Sequence, residues 1–463
     1  MMPRAMASPP GSSQGPWLDG LFDLTGHGTT MRREILAGAT TFVTMAYILF
    51  VNPQILGAAA GPERAGALLT STALVAAVMT VIMGLAANLP LALAPGMGLN
   101  AVVAFQLVGA DHLSFAEAMG VIVAEGLVVT LLVVTGLRQV VVRSVPLPLK
   151  RAIAIGIGLF LALIGCKNAG FVSAGGGLLT LGDAGRLHGF PVGLFAVTLL
   201  FTGWLLARGV RGALLIGMAA STAVALVARA GFGGAGFASH VAELPAAVVA
   251  APDFSLVGGF SFGFARVLGP AAAVLTVFSI MLSDFFDTVG TVVAVGQEAH
   301  YLDDQGGFPR PGAVLLVDSL AAAAGGAVGA SSATTYIESA SGAAAGGRTG
   351  LTSVVTGLLF ALCLFLSPLA GVVPPQATGA ILVLVGFLMM REVGAIGWDD
   401  PTEAIPAFLT VTVMPFTYSI TNGIGAGFLT YVVLKLLTGR ARQVHPLMLA
   451  SSLAFLIYFA LGG

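Results

Sequence analysis

The sequence predicts an all-α polytopic membrane protein of about 14 transmembrane segments, arranged as a 7+7 inverted repeat. Three observations carry that expectation. Of 463 residues, 57% are hydrophobic and 9% charged, against roughly 45–50% and 25% in soluble domains. The apolar residues fall into runs of about 17–25, the length a helix needs to cross a bilayer. Two of those runs, the third and the tenth, are poor helices, and broken segments at matching positions of two halves mark a transporter's binding region. Seven spans per half is an odd number, so the second half runs inverted relative to the first.

Composition excludes several classes. A mean hydropathy of +0.97 leaves too little polar surface for a soluble enzyme. Twenty basic against 21 acidic residues give a net charge of −1, which offers nothing to nucleic acid. Cys166 and Cys363 sit alone in apolar runs, so neither a disulfide framework nor a zinc site is expected. No cofactor or metal motif is present. Glycine is abundant at 63 residues, which suits close helix contact and unwound breaks.

Taken in order, residues 1–30 carry Pro9, Pro10, Ser12, Ser13 and Gly15 and read as a polar, flexible tail. They lack the apolar core and small-residue cleavage site of a signal peptide. Spans are expected at 35–51, 65–87, 91–110, 115–136, 149–166, 190–208, 210–229, 268–294, 311–329, 331–347, 350–373, 376–390, 403–421 and 422–438. A short apolar stretch, 446–461, reads equally as an interfacial helix or an extra span. With the N-terminus cytoplasmic, Arg138, Arg143, Lys150, Arg151, Arg208, Arg211, Arg348, Arg391, Lys435, Arg440 and Arg442 fall inside, and fewer basic residues fall outside, as the positive-inside rule requires.

The third span is interrupted by Pro95-Gly96-Met97-Gly98. The tenth opens on small, β-prone residues (Ser331, Ser332, Thr334, Thr335, Tyr336) before a short stretch from Ser339 to Gly347. Such backbone survives at membrane depth only where protein or a cavity satisfies its polar groups.

Ionisable residues inside spans are costly and are functional candidates by default. The eighth span carries Asp284 and Asp287, three apart on one helix face, with Thr291 one turn beyond. The ninth carries Asp318, the tenth Glu338 and the fourth Glu125. Asp318 is placed to bond backbone freed at a break, Asp284 to brace a neighbouring helix, and Glu125 to mark a helix–helix bond or a span end. Asp287 and Glu338 adjoin the expected cavity. Gly342 and Gly346, spaced as in G-x-x-x-G, suit packing. Phe285, Phe286 and Tyr336 could stack on a flat ligand, although two adjacent phenylalanines cannot both face it. All six histidines fall in loops or tails, so any coupled proton must ride on carboxylates, which desolvation makes workable proton sites in general.

These residues resemble the nucleobase:cation symporter-2 (xanthine/uracil permease) superfamily, and within it the adenine/guanine/hypoxanthine permeases of the AzgA type. The match rests on Thr41-Phe42-Val43-Thr44-Met45-Ala46-Tyr47 with Asn52-Pro53, Ala94-Pro95-Gly96-Met97-Gly98-Leu99-Asn100-Ala101, the Asp284–Thr291 stretch, and Thr334-Thr335-Tyr336-Ile337-Glu338-Ser339. It covers roughly residues 30 to 440. The resemblance implies a core domain (31–136 and 268–373) and a gate domain (137–230 and 374–440), a connecting loop at 231–267 and a C-terminal apolar segment at 441–463. It also implies short antiparallel strands in segments 3 and 10, beside which the base binds. By motif position Asp287 and Glu338 bind the base, with Thr291, Ser339, Asn100, Thr44 and Tyr336 as further binding candidates. Asp284 and Asp318 are the expected residues for proton coupling or site support. Some uracil permeases have histidine where this chain has Thr291, which turns the expectation toward purines.

The expected partners are therefore a purine nucleobase, a proton, the lipid bilayer and a second copy in a homodimer, and not nucleic acid. A flat, neutral purine rich in N–H donors suits an ionised carboxylate that accepts two bonds side by side. The expected activity is proton symport of guanine, hypoxanthine or adenine into the cell across the bacterial inner membrane, by an elevator-like shift. The alternatives are a pyrimidine or xanthine permease, or a sulfate- or bicarbonate-type carrier sharing the fold. An anion site wants helix N-termini or basic residues at the breaks, where this chain has carboxylates. A membrane hydrolase is disfavoured, for no His-Glu-x-x-His motif occurs and no histidine falls in a span to serve as a base.

Overall fold

Apolar runs at membrane depth must satisfy their backbone internally, and most of this chain does so as helix. A computed structural model describes residues 16–137, 144–175, 178–182, 185–232, 242–245, 247–302 and 308–460. Arg138 and Arg143, counted above as inward-facing, lie outside the described residues, as do residues 1–15 of the tail.

The tail's second half is built into the fold, contrary to the flexible tail that its composition predicts. Helix α1 (Pro16–Phe22) and the turn after it bury Leu18, Phe22 and Leu24 against Leu351. Apolar side chains at helical spacing outweigh the local proline and glycine content.

Helices α2 (Met31–Met45) and α3 (Ile48–Ala60) form one membrane-crossing unit, broken at Ala46-Tyr47. Then come α4 (Ala65–Ala87), strand β1 (Leu93–Pro95), α5 (Met97–Ala110) and α6 (Phe115–Val134). From Val102 onward α5 winds as a π-helix. Next are α7 (Leu147–Asn168), the hairpin β2 (Val172–Gly175) and β3 (Leu178–Leu181), α8 (Phe190–Ala207) and α9 (Ala213–Phe232). The second half holds α10 (Phe264–Leu268), α11 (Pro270–Glu298), α12 (Pro311–Ala327), β4 (Ala333–Thr335), α13 (Ser339–Ala344) and α14 (Gly350–Leu362). It closes with α15 (Pro375–Met389), α16 (Pro401–Thr417), α17 (Ile420–Leu437) and α18 (Pro446–Ala460). Among the described residues ten helical stretches are long and apolar enough to cross a membrane, and Met97–Ala110, Pro311–Ala327 and Pro446–Ala460 are shorter apolar helices. At 15 residues, α18 is about 22 Å long, short of the roughly 30 Å hydrocarbon core. It packs on α17, with Phe455 edge-on to Phe428 at 6.0 Å.

The helices pack as two groups. One joins α2, α3, α4, α6, α11, α12, α13 and α14; the other joins α7, α8, α9, α15, α16 and α17. Lipid gives no hydrophobic drive between helices, so close backbone contact must supply the packing. In the first group Gly84 of α4 meets Gly350 of α14, where a Cβ on Gly350 would stand 1.8 Å from the Gly84 carbonyl oxygen. In the second, a Cβ on Gly386 of α15 would stand 2.3 Å from the Gly158 carbonyl oxygen of α7. Gly342 likewise packs on α2, a Cβ there falling 2.1 Å from Thr41 Oγ1, which agrees with a packing role.

The two broken segments meet. Strands β1 and β4 pair antiparallel, with Leu93 opposite Thr335, Ala94 opposite Thr334 and Pro95 opposite Ala333. Side chains satisfy the backbone the breaks set free. Thr80 Oγ1 donates to the Leu93 carbonyl at 3.0 Å and accepts from the Leu93 N–H at 2.9 Å. Ser339 Oγ accepts from the Ala92 N–H at 3.0 Å, and Asn52 Nδ2 donates to the Ala330 carbonyl at 3.1 Å. Two helical breaks have been traded for one short sheet at membrane depth.

Candidate functional site

The β1–β4 pair fixes the end of β4, and the chain then turns through Tyr336-Ile337 into α13, whose N-cap is Glu338. Opposite stands α11 with Asp287. The Glu338 and Asp287 side chains are half-buried and close enough for their charges to interact. Glu338 is held by Tyr47 at the α2–α3 break, whose Oη donates to Glu338 Oε1 at 2.6 Å. Asp287 makes no hydrogen bond to protein among the described residues. Thr291, one turn along, is buried and likewise makes none.

A second knot lies behind. Asp318 of α12 accepts three bonds: from Thr288 Oγ1 at 2.6 Å, from the Thr335 N–H at 2.9 Å and from Thr335 Oγ1 at 2.8 Å. Thr288 Oγ1 lies 2.7 Å from Thr334 Oγ1. Asp318 thus ties strand β4 to α11 and α12, which is the backbone-bracing reading of that residue. Beyond it Asp284 and Glu125 face each other across the α6–α11 contact. Both Glu125 oxygens and Asp284 Oδ1 are buried without a hydrogen bond of normal geometry. Glu125 sits mid-helix rather than at a span end, and its polar neighbour across the helix contact is the Asp284 carboxyl. Among the described residues none of these five carboxylates has a lysine or arginine partner.

The remaining candidates are positioned less directly. Tyr336 spends its hydroxyl on the Pro95 carbonyl and its N–H on the Ala92 carbonyl, so it braces the strand pair. Ser339 does the same through Ala92. Thr44 bonds the carbonyls of Thr40 and Thr41 in its own helix. Asn100, on the first turn of α5, is fully buried, and among the described residues neither of its amide atoms has a hydrogen-bond partner. Phe286 lies under Lys150 Nζ, 5.3 Å from the ring centroid, and Phe285 packs edge-on to it.

Residue type and spacing alone did not single out Tyr47 or Thr288. The available signal for Tyr47 is a lone aromatic hydroxyl just before a helix that carries Asn52-Pro53; for Thr288, a hydroxyl adjoining Asp287. A recess of about 460 Å³ is lined by Val128, Phe264, Pro270, Ala273 and Met281. Its lining is almost wholly apolar, so it offers little to a polar ligand.

What this arrangement offers is acceptor oxygens, one aromatic hydroxyl donor and a free amide at a break between two helix groups. The comparisons agree with a carrier. The Permease family model Xan_ur_permease matches residues 32–426. The chain is 41% identical over 446 residues to "Adenine permease AdeP" of Escherichia coli K12, covering 96% of each chain. It is 37% identical over 440 residues to "Guanine/hypoxanthine permease PbuG" of Bacillus subtilis 168, covering 93% of this chain and 97% of that one. The transmembrane domain of the cyanobacterial bicarbonate transporter BicA superposes with a TM-score of 0.57 at 16% identity, over 87% of this chain and 96% of that chain, a likeness of fold. With its ten candidate spans the protein is a multi-pass inner-membrane protein, and it belongs to the xanthine/uracil permease family.

Proposed function

We propose that this permease imports a purine nucleobase together with a proton, and that Asp287 and Glu338 bind the base. The observation that carries the reading is the uncompensated pair itself: two half-buried carboxylates at the break, one braced by Tyr47. A carboxylate accepts paired N–H donors from a purine edge, and such charge-assisted bonds are strong. Asn100 and Thr291 supply neutral polar groups to the remaining edge, while Tyr336 and Ser339 keep the strands in place. The relatives named for adenine and for guanine and hypoxanthine support the purine class. An anion such as sulfate or bicarbonate would meet like charge here.

An uncompensated carboxylate inside a bilayer is costly, and a proton relieves that cost. Asp284 and Asp318 adjoin the base site and serve coupling or support. The first helix group, with α5 and the strand pair, acts as the core domain and the second as the gate domain; 14 spans in two inverted repeats complete the architecture. The core shifts against the gate in an elevator-like movement that carries the base across.

Radiolabelled hypoxanthine uptake into expressing cells, competed by guanine, adenine, xanthine and uracil with and without a protonophore, tests the reading. Purine competition and collapse under the protonophore are expected. Uptake that ignores the protonophore removes proton coupling, and no purine uptake with protein in the membrane removes the substrate class. Glu338→Ala should abolish uptake while leaving membrane insertion intact; normal uptake by that variant sinks the site.

A further inference from the structure

Two glutamines cross the seam between the helix groups. Gln106 lies in the π-helical part of α5 and is almost fully buried. Its Nε2 donates to Thr421 Oγ1 at 2.9 Å, and its Oε1 accepts from the Ile420 N–H at 2.9 Å. Gln54 of α3 makes the same pair of contacts with donor and acceptor exchanged. Its Nε2 donates to the Val373 carbonyl at 2.6 Å, and its Oε1 accepts from the Thr378 hydroxyl. Among the described residues these four are the side-chain hydrogen bonds that join one group to the other.

The choice of residue has a physical reason. A helix start leaves its first N–H groups without intrahelical partners. Ile420, the first residue of α17, is such a donor; Val373, just ahead of α15, instead offers its carbonyl. A carboxamide carries a donor and an acceptor on one planar group, so it bonds both a backbone group and the neighbouring threonine hydroxyl. The groups also touch where α2 meets α9, α5 meets α7 and α11 meets α17; between α7 and α11 Lys150 lies over the Phe286 ring at 5.3 Å. With 14 spans and a cytoplasmic N-terminus, Gln54, Gln106 and the starts of α15 and α17 all fall on the outer side, and Lys150 falls on the inner side.

We propose that Gln54 and Gln106 form a two-point latch that closes the seam on the outer side, so that both must release before the base can enter. The latch rests on the core-and-gate reading above. It makes the conformation described here the outward-closed one, with four directional bonds holding the outer side of the seam.

Two measurements test it and separate its failure from that of the reading beneath it. Gln54→Leu and Gln106→Leu keep side-chain bulk and remove the bonds. Each should favour the outward-open state and lower the apparent KM for uptake on the order of three- to tenfold. Thr421→Val and Thr378→Val, which alter only the far partner, should move KM the same way by less. Expression is followed by immunoblot of the membrane fraction, and thermal unfolding in detergent shows that the variants are folded. Wild-type KM in the folded single and double leucine variants overturns the latch. In a chain with Cys166→Ala and Cys363→Ala, the pair Gln106→Cys and Thr421→Cys is then bridged by a short bifunctional thiosulfonate. Uptake should stop and return on reduction. A bridged protein that still transports shows the seam does not open there, which overturns the latch together with the moving core. Arrest by the bridge alongside wild-type kinetics in the leucine variants overturns the latch alone.

Discussion

Glu34 and Glu125 are both fully buried carboxylates on membrane-crossing helices, and they are treated in opposite ways. At the α2–α14 junction Glu34 accepts five hydrogen bonds: from Thr29 Oγ1, the N–H of Arg348, the N–H and Oγ1 of Thr349, and Thr352 Oγ1. At the α6–α11 contact Glu125 has a carboxylate neighbour and no bond of normal geometry. A buried charge whose lone pairs are all engaged rivets helices together. One left without partners lowers stability, and such residues gather where a protein holds something other than itself. In this chain the satisfied carboxylates, Glu34 and Asp318, bind backbone at helix and strand ends, while Asp287 and Glu125 do not.

The sharpest way to break that contrast is Glu34→Ala. It strands two backbone N–H groups and three hydroxyls, and the expected loss is about 3–5 kcal/mol. Little protein should reach the membrane, and what does should melt far below wild type in detergent; a wild-type melting curve would remove the rivet. Glu125→Met should do the reverse. Removing a buried carboxyl without a basic partner at similar volume should leave stability equal or higher by about 1–3 kcal/mol, while uptake falls at least tenfold. A strongly destabilised Glu125→Met would place Glu125 with the rivets. Tyr47→Phe should convert Glu338 from a braced to an unbraced carboxylate and weaken base binding by about 1.5 kcal/mol. The reading is an apparent KM roughly tenfold higher with the melting temperature unmoved; a change in melting alone would mean the bond only packs α3.

Asp111, in the turn after α5, is the mildest case. Burial pushes its carboxyl up to about 6, opposed by a bond from Gln106 and by nearby His112. Between its unfolded value near 4 and about 6 the folded chain holds more proton than the unfolded one, so stability falls as pH rises through that window. With this group partly open to solvent, the effect should be about 1 kcal/mol. Asp111→Asn should flatten the melting temperature between pH 4 and 6 and raise it above pH 6. An unchanged slope would show that Asp111 is solvated.

Much of the architecture was legible because hydropathy and helix breakers act locally. Pro95-Gly96 and the β-prone run at Ser331–Tyr336 announce their breaks in the chain itself, and the structure pairs them as strands. What could not be read depends on partners distant in sequence. Nothing near Glu34 signals that Thr349 and Thr352, over 300 residues away, will complete it. Nothing near Glu125 predicts that it faces Asp284. Tyr47 looks like any aromatic in an apolar run until Glu338 arrives 291 residues later. The α1 helix was hidden for another reason: its burial depends on Leu351, so local composition pointed to a loose tail.

The β1–β4 pair also sets a schedule for biosynthesis. Leu93 waits for Thr335, its partner some 240 residues downstream, and at 5–20 residues per second that wait lasts roughly 12–50 s. Throughout it the nascent first half holds an extended segment at bilayer depth with only the Thr80 hydroxyl to satisfy it. The early half is therefore an unfinished client of the insertion machinery, and its release into lipid must await the later one.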